Sequence, residues 1–300
     1  GDGLLRQRKR LRFEFIAVEK AEFPVAALCR AMQVAQSGFY AWAKRSPSKR
    51  SKDDARFKVH IKASHKKSRK TYGSPRVHKD LAAEGINVGQ NRVARLMKED
   101  GLCGTRPKKF KATTDSKHAK PVAPNILNRD IASVTAPNSV WVSDITYVWT
   151  LQGWLYLAVM IDVFSRRIVG YRIDDHMRAE LVTDALTSAI EARDIGSNLM
   201  HHSDRGSQYA ADDFRSLAGR YGITLSMSRK GNCWDNAVAE SFFASLKKDL
   251  IYRQSWFSKK QVTDAIEEYI VWYNRERRHS SIGYVSPADY ERLTMLAMVA

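Results

Sequence analysis

The sequence predicts two architectures in one chain: an all-α front half with helix-turn-helix spacing, and an α/β back half built on a mixed sheet flanked by helices. Three observations carry this. Short helical segments separated by tight breaks recur up to residue 104. A basic, Pro-containing stretch covers 105–137. Beyond it, β-branched and aromatic runs alternate with helical ones in the order βββαβαβαα.

The elements follow in order. Residues 23–30 start a helix with Pro24 near its first turn. After a break at 32–36, Ser37 reads as the N-cap of a helix over 38–45, anchored by Phe39 and Trp42. Helix, short turn, helix is the spacing of a helix-turn-helix. The pattern recurs with a basic helix over 54–65, a second over 75–84 ended by Gly85, and a third over 91–99. That third helix puts Val93, Leu96 and Met97 on one side, and Asn91, Arg92 and Arg95 are placed to face a groove. A helical hairpin without a DNA role is the plain alternative.

Pro107, Pro121, Pro124 and Pro137 then interrupt a Lys- and Thr-rich linker with no apolar period. Residues 140–149 are strand-like by composition, and short turns at 151–153 and 162–166 lead to strands over 154–161 and 167–173. Three strands so joined make an antiparallel meander. Next come a helix over 179–193, a strand over 199–203, a helix over 211–221 and a strand over 223–227. Two long helices, 236–251 and 259–274, are expected to close the domain. The organisation is therefore 1–51, a first helix-turn-helix segment; 52–104, a second helical unit; 105–137, the linker; 138–293, the sheet domain with its C-terminal helices; and 294–300, a tail.

Charge follows the same division. The 300 residues carry a net +18. Residues 1–128 hold 30 Lys and Arg against 11 Asp and Glu, a net of +19, and residues 129–300 hold 20 against 21. A solvated surface mixes both signs, so a one-signed field of this size points to phosphates. No apolar run approaches the ~20 residues of a membrane span, the first ten residues lack a signal-peptide core, and three distant cysteines make neither a disulfide framework nor a zinc site. A soluble protein of a reducing compartment, with a polyanionic partner and no membrane, is expected. No Gly-rich loop of the nucleotide-binding kinds occurs, so ATP and NAD are not expected.

Three carboxylates stand out. Asp144 lies mid-strand on the side of Val140 and Val142, and an acid on an apolar strand face is costly unless paired or metal-bound. Asp204 sits where the strand over 199–203 runs out, the position at which α/β sheets bind ligands. Glu240 lies about 200° around its helix from the stripe of Val238, Phe242, Leu246 and Leu250, with Asn236 and Lys247 on its own face. Each has a plainer reading alone: Asp204 as an Asx turn, Glu240 as a solvated helix residue. Together they make a hard-oxygen site for divalent cations, suited to phosphoryl displacement. Cys233 is the rival nucleophile, more simply a packing residue, and His201 and His202 are candidate bases. Asp162 reads as a turn former.

The segments His202-Ser203-Asp204-Arg205-Gly206-Ser207-Gln208-Tyr209 and Ser228-Arg229-Lys230-Gly231-Asn232-Cys233-Trp234-Asp235-Asn236-Ala237, running on to Glu240-Ser241-Phe242-Phe243, resemble the integrase-core transposases of bacterial insertion sequences. The match is to the group named for insertion sequence three, in its OrfB-type product. Asp204 and Glu240 are separated by 35 residues, and Lys247 follows by seven. The tail Tyr273-Asn274-Arg275-Glu276-Arg277-Arg278-His279-Ser280 and the front segment Tyr72-Gly73-Ser74-Pro75-Arg76 resemble the same family. The resemblance spans nearly the whole chain.

It implies a ribonuclease-H-like fold, cleavage and strand transfer of DNA, and dependence on Mg²⁺ or Mn²⁺, two ions in all. Asp144, Asp204 and Glu240 match the catalytic and metal-binding acids, and Lys247 matches the residue that holds DNA phosphate. Asn236, Arg92, Arg95, Arg76, Lys108 and Lys109 are expected to join Lys247 in binding DNA. The implied partners are double-stranded DNA, as element terminal repeats and as target, and a second copy of the chain in a homodimer or higher oligomer. The implied location is the bacterial cytoplasm, at the nucleoid. In such elements the full transposase is often a frameshift fusion whose upstream part adds a DNA-binding and oligomerising region. This sequence instead enters a basic segment directly from Gly1-Asp2-Gly3. A structure-selective nuclease of the same fold and a non-catalytic DNA-binding regulator are the alternatives.

The charge division makes one prediction. Residues 1–128 should bind duplex DNA with a steep dependence on salt and residues 129–300 only weakly, as read from the slope of log affinity against log salt concentration.

Overall fold

The computed structural model describes residues 9–105, 120–229 and 236–299, which divide into two compact units, residues 1–60 and 61–300. In the first, α1 (Lys9–Glu19), α2 (Val25–Ala31) and α3 (Gln36–Ala43) pack around Phe13, Ile16, Leu28, Cys29 and Phe39. Phe13 and Phe39 lie 5.7 Å and 6.0 Å from Trp42, measured between ring centres, so the rings supply much of so small a core. Two expectations change here. Helix α1 is additional: its basic start hides a stripe whose buried members are only Phe13 and Ile16. Helix α3 begins at Gln36 with Ala35 as its cap, so Ser37 lies inside the first turn and caps nothing.

Helix α4 (Lys49–Lys67) leads into the second unit, where α5 (Ser74–Ala83) and α6 (Gln90–Glu99) pair through Val77, Leu81, Val93, Leu96 and Met97, all buried. Pro75 sits at the start of α5, where a missing N–H costs nothing.

The sheet follows. Strands β1 (Val140–Thr150), β2 (Gly153–Asp162) and β3 (Ile168–Asp174) form the antiparallel meander, and β4 (Met200–Ser203) and β5 (Thr224–Met227) add in parallel, giving the order β3-β2-β1-β4-β5. This mixed order is that of a ribonuclease-H-like sheet. Alternation divides its faces. Trp141, Ala158 and Met160 pack with Leu181, Val182 and Leu186 of α7 (Ala179–Ala192) and with Phe214 and Leu217 of α8 (Asp212–Arg220). Helices α9 (Ala237–Asp249) and α10 (Lys259–Arg275) also pack on the sheet, and Phe242 meets Tyr273 edge-on between them at 4.9 Å. A Cβ on Gly170 of β3 would come within 2.5 Å of the Ala185 carbonyl oxygen, so α7 can lie this close only over glycine.

A last helix, α11 (Pro287–Val299), extends the two closing helices to three. It is held by Glu291, which is buried and accepts from Arg193 at 2.8 Å and 3.0 Å, from Arg167 at 2.6 Å and from Ser165 Oγ at 2.8 Å. Burial pushes the Glu291 carboxyl up, but Arg193, Arg167 and Ser165 more than offset this and hold it below its ordinary value. Asp162 closes the β2–β3 turn as expected, accepting from Ser165 N at 3.0 Å. No helix among the described residues is long and apolar enough to cross a membrane.

The basic helical unit is not separate from the sheet domain. Arg278 pairs with Asp80 of α5, its backbone N–H donates to Tyr72 Oη at 2.6 Å, and Arg69 lies over the Trp272 ring. Beside it Arg277, fully buried, donates to Asp249 Oδ2 at 3.2 Å and 3.3 Å, to Ser245 Oγ at 3.1 Å and to His279 Nε2 at 3.2 Å. The charge boundary at residue 128 therefore falls inside one compact unit. A fragment ending there would expose Tyr72 and strand Asp80, and charge substitutions in the full chain test the salt dependence more cleanly.

Removing one member of the buried pair strands the other's charge. Asp249→Ala should destabilise the fold by about 3–5 kcal/mol, read as a lowered denaturation midpoint. A change under ~1 kcal/mol, the range of exposed pairs, would mean that Arg277 finds other compensation.

Candidate active site

The register of two strands builds the site. In the parallel pairing of β1 with β4, Val140 stands beside Met200 and Val142 beside His202. Two residues further along both chains come Asp144 and Asp204, at the carboxyl end of β4 where its pairing with β1 has stopped. Each carboxylate is steadied by a local N–H. Asp144 Oδ1 accepts from Ile145 N at 2.8 Å, and Asp204 Oδ1 accepts from Gly206 N at 2.9 Å. The Asx turn read as the plain alternative for Asp204 thus exists, and it aims the acid instead of replacing its role.

The third acid arrives on α9. Asn236, the residue before that helix, is buried and donates from Nδ2 to Ser143 O at 2.9 Å, tying the helix start to the strand one residue before Asp144. One turn on, Glu240 is half-buried, and burial holds its carboxyl above the ordinary range. Lys247, two turns further, is buried with its Nζ 5.6 Å from the centre of the Tyr147 ring. Burial lowers the Lys247 ammonium, opposed by the charge of Asp144.

These four groups share one field. The Asp144 carboxyl is pushed up to about 8, first by burial and then by Asp204, with Glu240 adding and the Ile145 N–H and Lys247 opposing. Such a site holds more negative charge than Lys247 balances. Its donors are carboxylate oxygens alone, the ligand type of hard divalent cations, so the residues fit Mg²⁺ or Mn²⁺. A second acidic cluster lies on the surface. Among the described residues, the trio of acid or His groups with ligand atoms all within 4.8 Å of one another is Asp174, Asp175 and His176.

Several expected roles land elsewhere. His201 is fully buried with Nε2 2.7 Å from Ser143 Oγ, and burial followed by His202 lowers it to about 3, so it is neutral. His202 is equally buried, its two ring nitrogens 2.8 Å and 3.1 Å from Ser226 Oγ and Ser228 Oγ. Both rings bind β4 to its neighbours, and neither is placed as a base. Arg76 is half-buried over the Tyr72 ring at 5.5 Å, in the packing between α5 and the C-terminal segment. Arg92 and Arg95 remain partly exposed on α6, with Arg95 paired to Glu99. Lys108, Lys109 and Cys233 lie outside the described residues.

Two supporting residues escape a reading by pattern. Tyr209 is fully buried beside His201 and Phe214, and burial together with Asp144 and Asp204 pushes its hydroxyl well above its ordinary value. Gly206 is the other: a Cβ there would stand 3.0 Å from Asp204 Oδ1 and 3.0 Å from Gln208 Oε1. The one hint in sequence is the spacing of a glycine and an aromatic two and five residues after a strand-end acid.

Comparison with known proteins gives the following. Residues 134–233 and 221–287 match the integrase core domain, and residues 52–110 match an HTH-like domain. The chain is 46% identical over 264 residues to the insertion element IS600 uncharacterized 31 kDa protein of Shigella sonnei, covering 88% of this chain and 97% of that one. It is 37% identical over 286 residues to Transposase InsF for insertion sequence IS3A of Escherichia coli (strain K12), covering 94% and 98%. Among solved structures, the catalytic core domain of BIV integrase aligns at 21% identity and a TM-score of 0.43 over 54% of this chain and 99% of that one. The HTLV-2 integrase catalytic core domain in complex with magnesium aligns at 16% and 0.40 over 52% and 97%.

Gly206→Ala should push the Asp204 carboxylate off its turn while leaving the core untouched. DNA strand cleavage should fall at least about tenfold, the effect of ~1.4 kcal/mol, with little change in thermal midpoint. Unchanged cleavage would show that the Asp204 turn tolerates the methyl group.

Proposed function

Because the chain belongs to the IS3-family transposases, we propose that Asp144, Asp204 and Glu240 are the acids with which it cuts and joins DNA strands. The chain is a DNA transposase, a polynucleotidyl transferase with an integrase core and an HTH-like domain. Enzymes of this family work with divalent cations. The observation that carries the site assignment is the shared field: one strand register sets Asp204 beside Asp144, and Glu240 and Lys247 act on the same carboxyl.

When bound, Mg²⁺ or Mn²⁺, two ions in this reading, supplies the charge that polarises phosphoryl oxygens and lowers the pKa of water. Asp144, Asp204 and Glu240 would hold them. Asp144 feels both other acids, which ties the three into one site. The remaining work belongs to the chain's own side chains. The Gly206 and Ile145 N–H groups orient the two aspartates, Asn236 keeps the Glu240 helix on β1, and Lys247 holds a phosphate of the strand being cut.

The chemistry is two displacements at phosphorus. Water attacks a phosphodiester at the element end and the 3′ oxygen leaves as a hydroxyl; that hydroxyl then attacks a target phosphodiester and displaces its 3′ oxygen. Neither step needs a covalent enzyme intermediate. The HTH-like segment holds duplex DNA, with Arg92 and Arg95 of α6 on its partly exposed side and Lys108 and Lys109 just beyond. Two element ends call for at least a dimer, acting in the bacterial cytoplasm on nucleoid DNA.

Asp144→Asn, Asp204→Asn and Glu240→Gln should each lower cleavage and strand transfer by about a thousandfold or more, a loss of ~4 kcal/mol of transition-state stabilisation. Duplex binding should persist, and chelation should abolish reaction in the native protein. Any variant that still cleaves removes its residue from the site, and RNA cleavage in a hybrid without DNA joining would favour the nuclease.

A further inference from the structure

Strand β4 pairs with β1 only as far as Val142, whereas β2 stays paired to β1 through Thr150. On the other flank β3 pairs with β2 as far as Tyr156, opposite Tyr147, so from these two residues outward the β1–β2 hairpin projects past the rest of the sheet. On one face of this projection three large rings are exposed: Tyr147 at 39%, Trp149 at 55% and Trp154 at 44%. Tyr147 and Trp149 alternate along β1, and Trp154 is the direct cross-strand partner of Trp149, so all three share a face. Trp154 meets Trp149 at 4.8 Å and Tyr147 at 5.1 Å, both edge-on. In the Trp149–Trp154 pair the edge-on contact covers the face of only one of the two rings, which leaves tryptophan ring faces open to a flat ligand.

Two adjacent exposed tryptophans are a costly surface for a fold that has a large core elsewhere. Their position indicates what they serve. The cluster begins three residues after Asp144 on the same strand, so alternation puts its rings on the opposite face, and the tie to the acid is Lys247, whose ammonium stands 5.6 Å from the centre of the Tyr147 ring and acts on Asp144. A cation that takes phosphate, next to aromatic faces that take bases, is the pattern of a single-strand binding surface. A protein partner would find the rings but would have no use for the lysine or for their nearness to the acids.

We propose that Tyr147, Trp149 and Trp154 form a stacking surface for unpaired nucleobases of the DNA strand at the active site, with Lys247 holding the adjoining phosphate. It rests on the catalytic reading above only for the identity of that strand. The surface would keep a nucleotide beside the cut splayed out of the duplex, fixing the scissile phosphate against the three acids without reading sequence.

The test uses the full chain without divalent ions, so that binding is measured apart from cleavage. The probes are a blunt duplex, the same duplex with a short oligothymidine overhang, and that overhang made abasic. Native protein should prefer the oligothymidine overhang to both others, with quenching of tryptophan fluorescence. Trp149→Ala with Trp154→Ala should erase that preference, about tenfold per stacked base, while blunt-duplex affinity stays. Trp149→Phe with Trp154→Phe should retain most of it. Equal binding of the abasic and oligothymidine overhangs by native protein would overturn the proposal. So would an alanine variant that keeps the preference, or one that instead loses self-association in sedimentation, which would make the patch a contact between copies. A separate cleavage assay with Mg²⁺ distinguishes the two readings: native protein that prefers the overhang yet cuts no DNA sinks the catalytic assignment and leaves the stacking surface standing.

Discussion

The parallel register of β4 on β1 is the constraint on which the site depends. With Val142 beside His202, the next outward positions on the same face of the two strands are Asp144 and Asp204. Much of the surrounding structure serves to hold that register. His201 reaches Ser143, His202 reaches Ser226 and Ser228, and Asn236 donates to the Ser143 carbonyl from the far side. The two imidazoles and the Asn236 Nδ2 amide have their partners in place, and loss of any one would leave an unsatisfied donor or acceptor beneath the acids. The same ending of β4 frees the outer half of β1, which makes room for α9 on one side and leaves the aromatic projection on the other.

A second dependence lies at the far end of the C-terminal helices. Arg277 and Arg278 are adjacent, yet they do different things. Arg277 is fully buried on Asp249 at the end of α9, so it anchors the helix that carries Glu240 and Lys247. Arg278 faces the other way, to Asp80 and Tyr72, and seats the HTH-like helices on the sheet domain. His279 completes the arrangement as a neutral acceptor for Arg277; burial and the surrounding arginines lower it to about 3. A run of basic residues that would ordinarily be read as a DNA-facing tail is thus in large part an internal fastener. Arg76 shares this fate, which explains why a motif arginine beside an HTH-like helix is half-hidden over Tyr72.

Much of this was legible in the chain itself. Alternation located β1, β2 and β3 to within a residue or two, and amphipathic spacing located α5 to α10, because one face of each is plainly apolar. Helices α1 and α11 were not legible: the first buries only Phe13 and Ile16, and the last is held by Glu291, a charge whose partners lie on distant turns. Ser37 reads as a cap because its residue type favours caps, but the helix begins at Gln36, two residues before the expected Gly38, where Phe39 can reach Phe13. His201 and His202 looked like bases because residue type alone cannot distinguish an accessible imidazole from one bonded within a sheet. Glu240 and Lys247 were found by helical spacing, and Asn236 by the same spacing, although its side chain binds backbone rather than facing outward.

The net charge of +18, its concentration ahead of residue 129, the strand-borne acids and the element order are properties of the sequence by itself, because each depends on residue type and local period. They sufficed for the fold class and the kind of chemistry. Tertiary structure alone decided which charges are free to act. Electrostatic role depends on burial and on partners remote in sequence: Arg277 and Arg278 became fasteners, Lys247 a buried neighbour of Asp144, and the basic helical unit part of the same compact body as the near-neutral sheet.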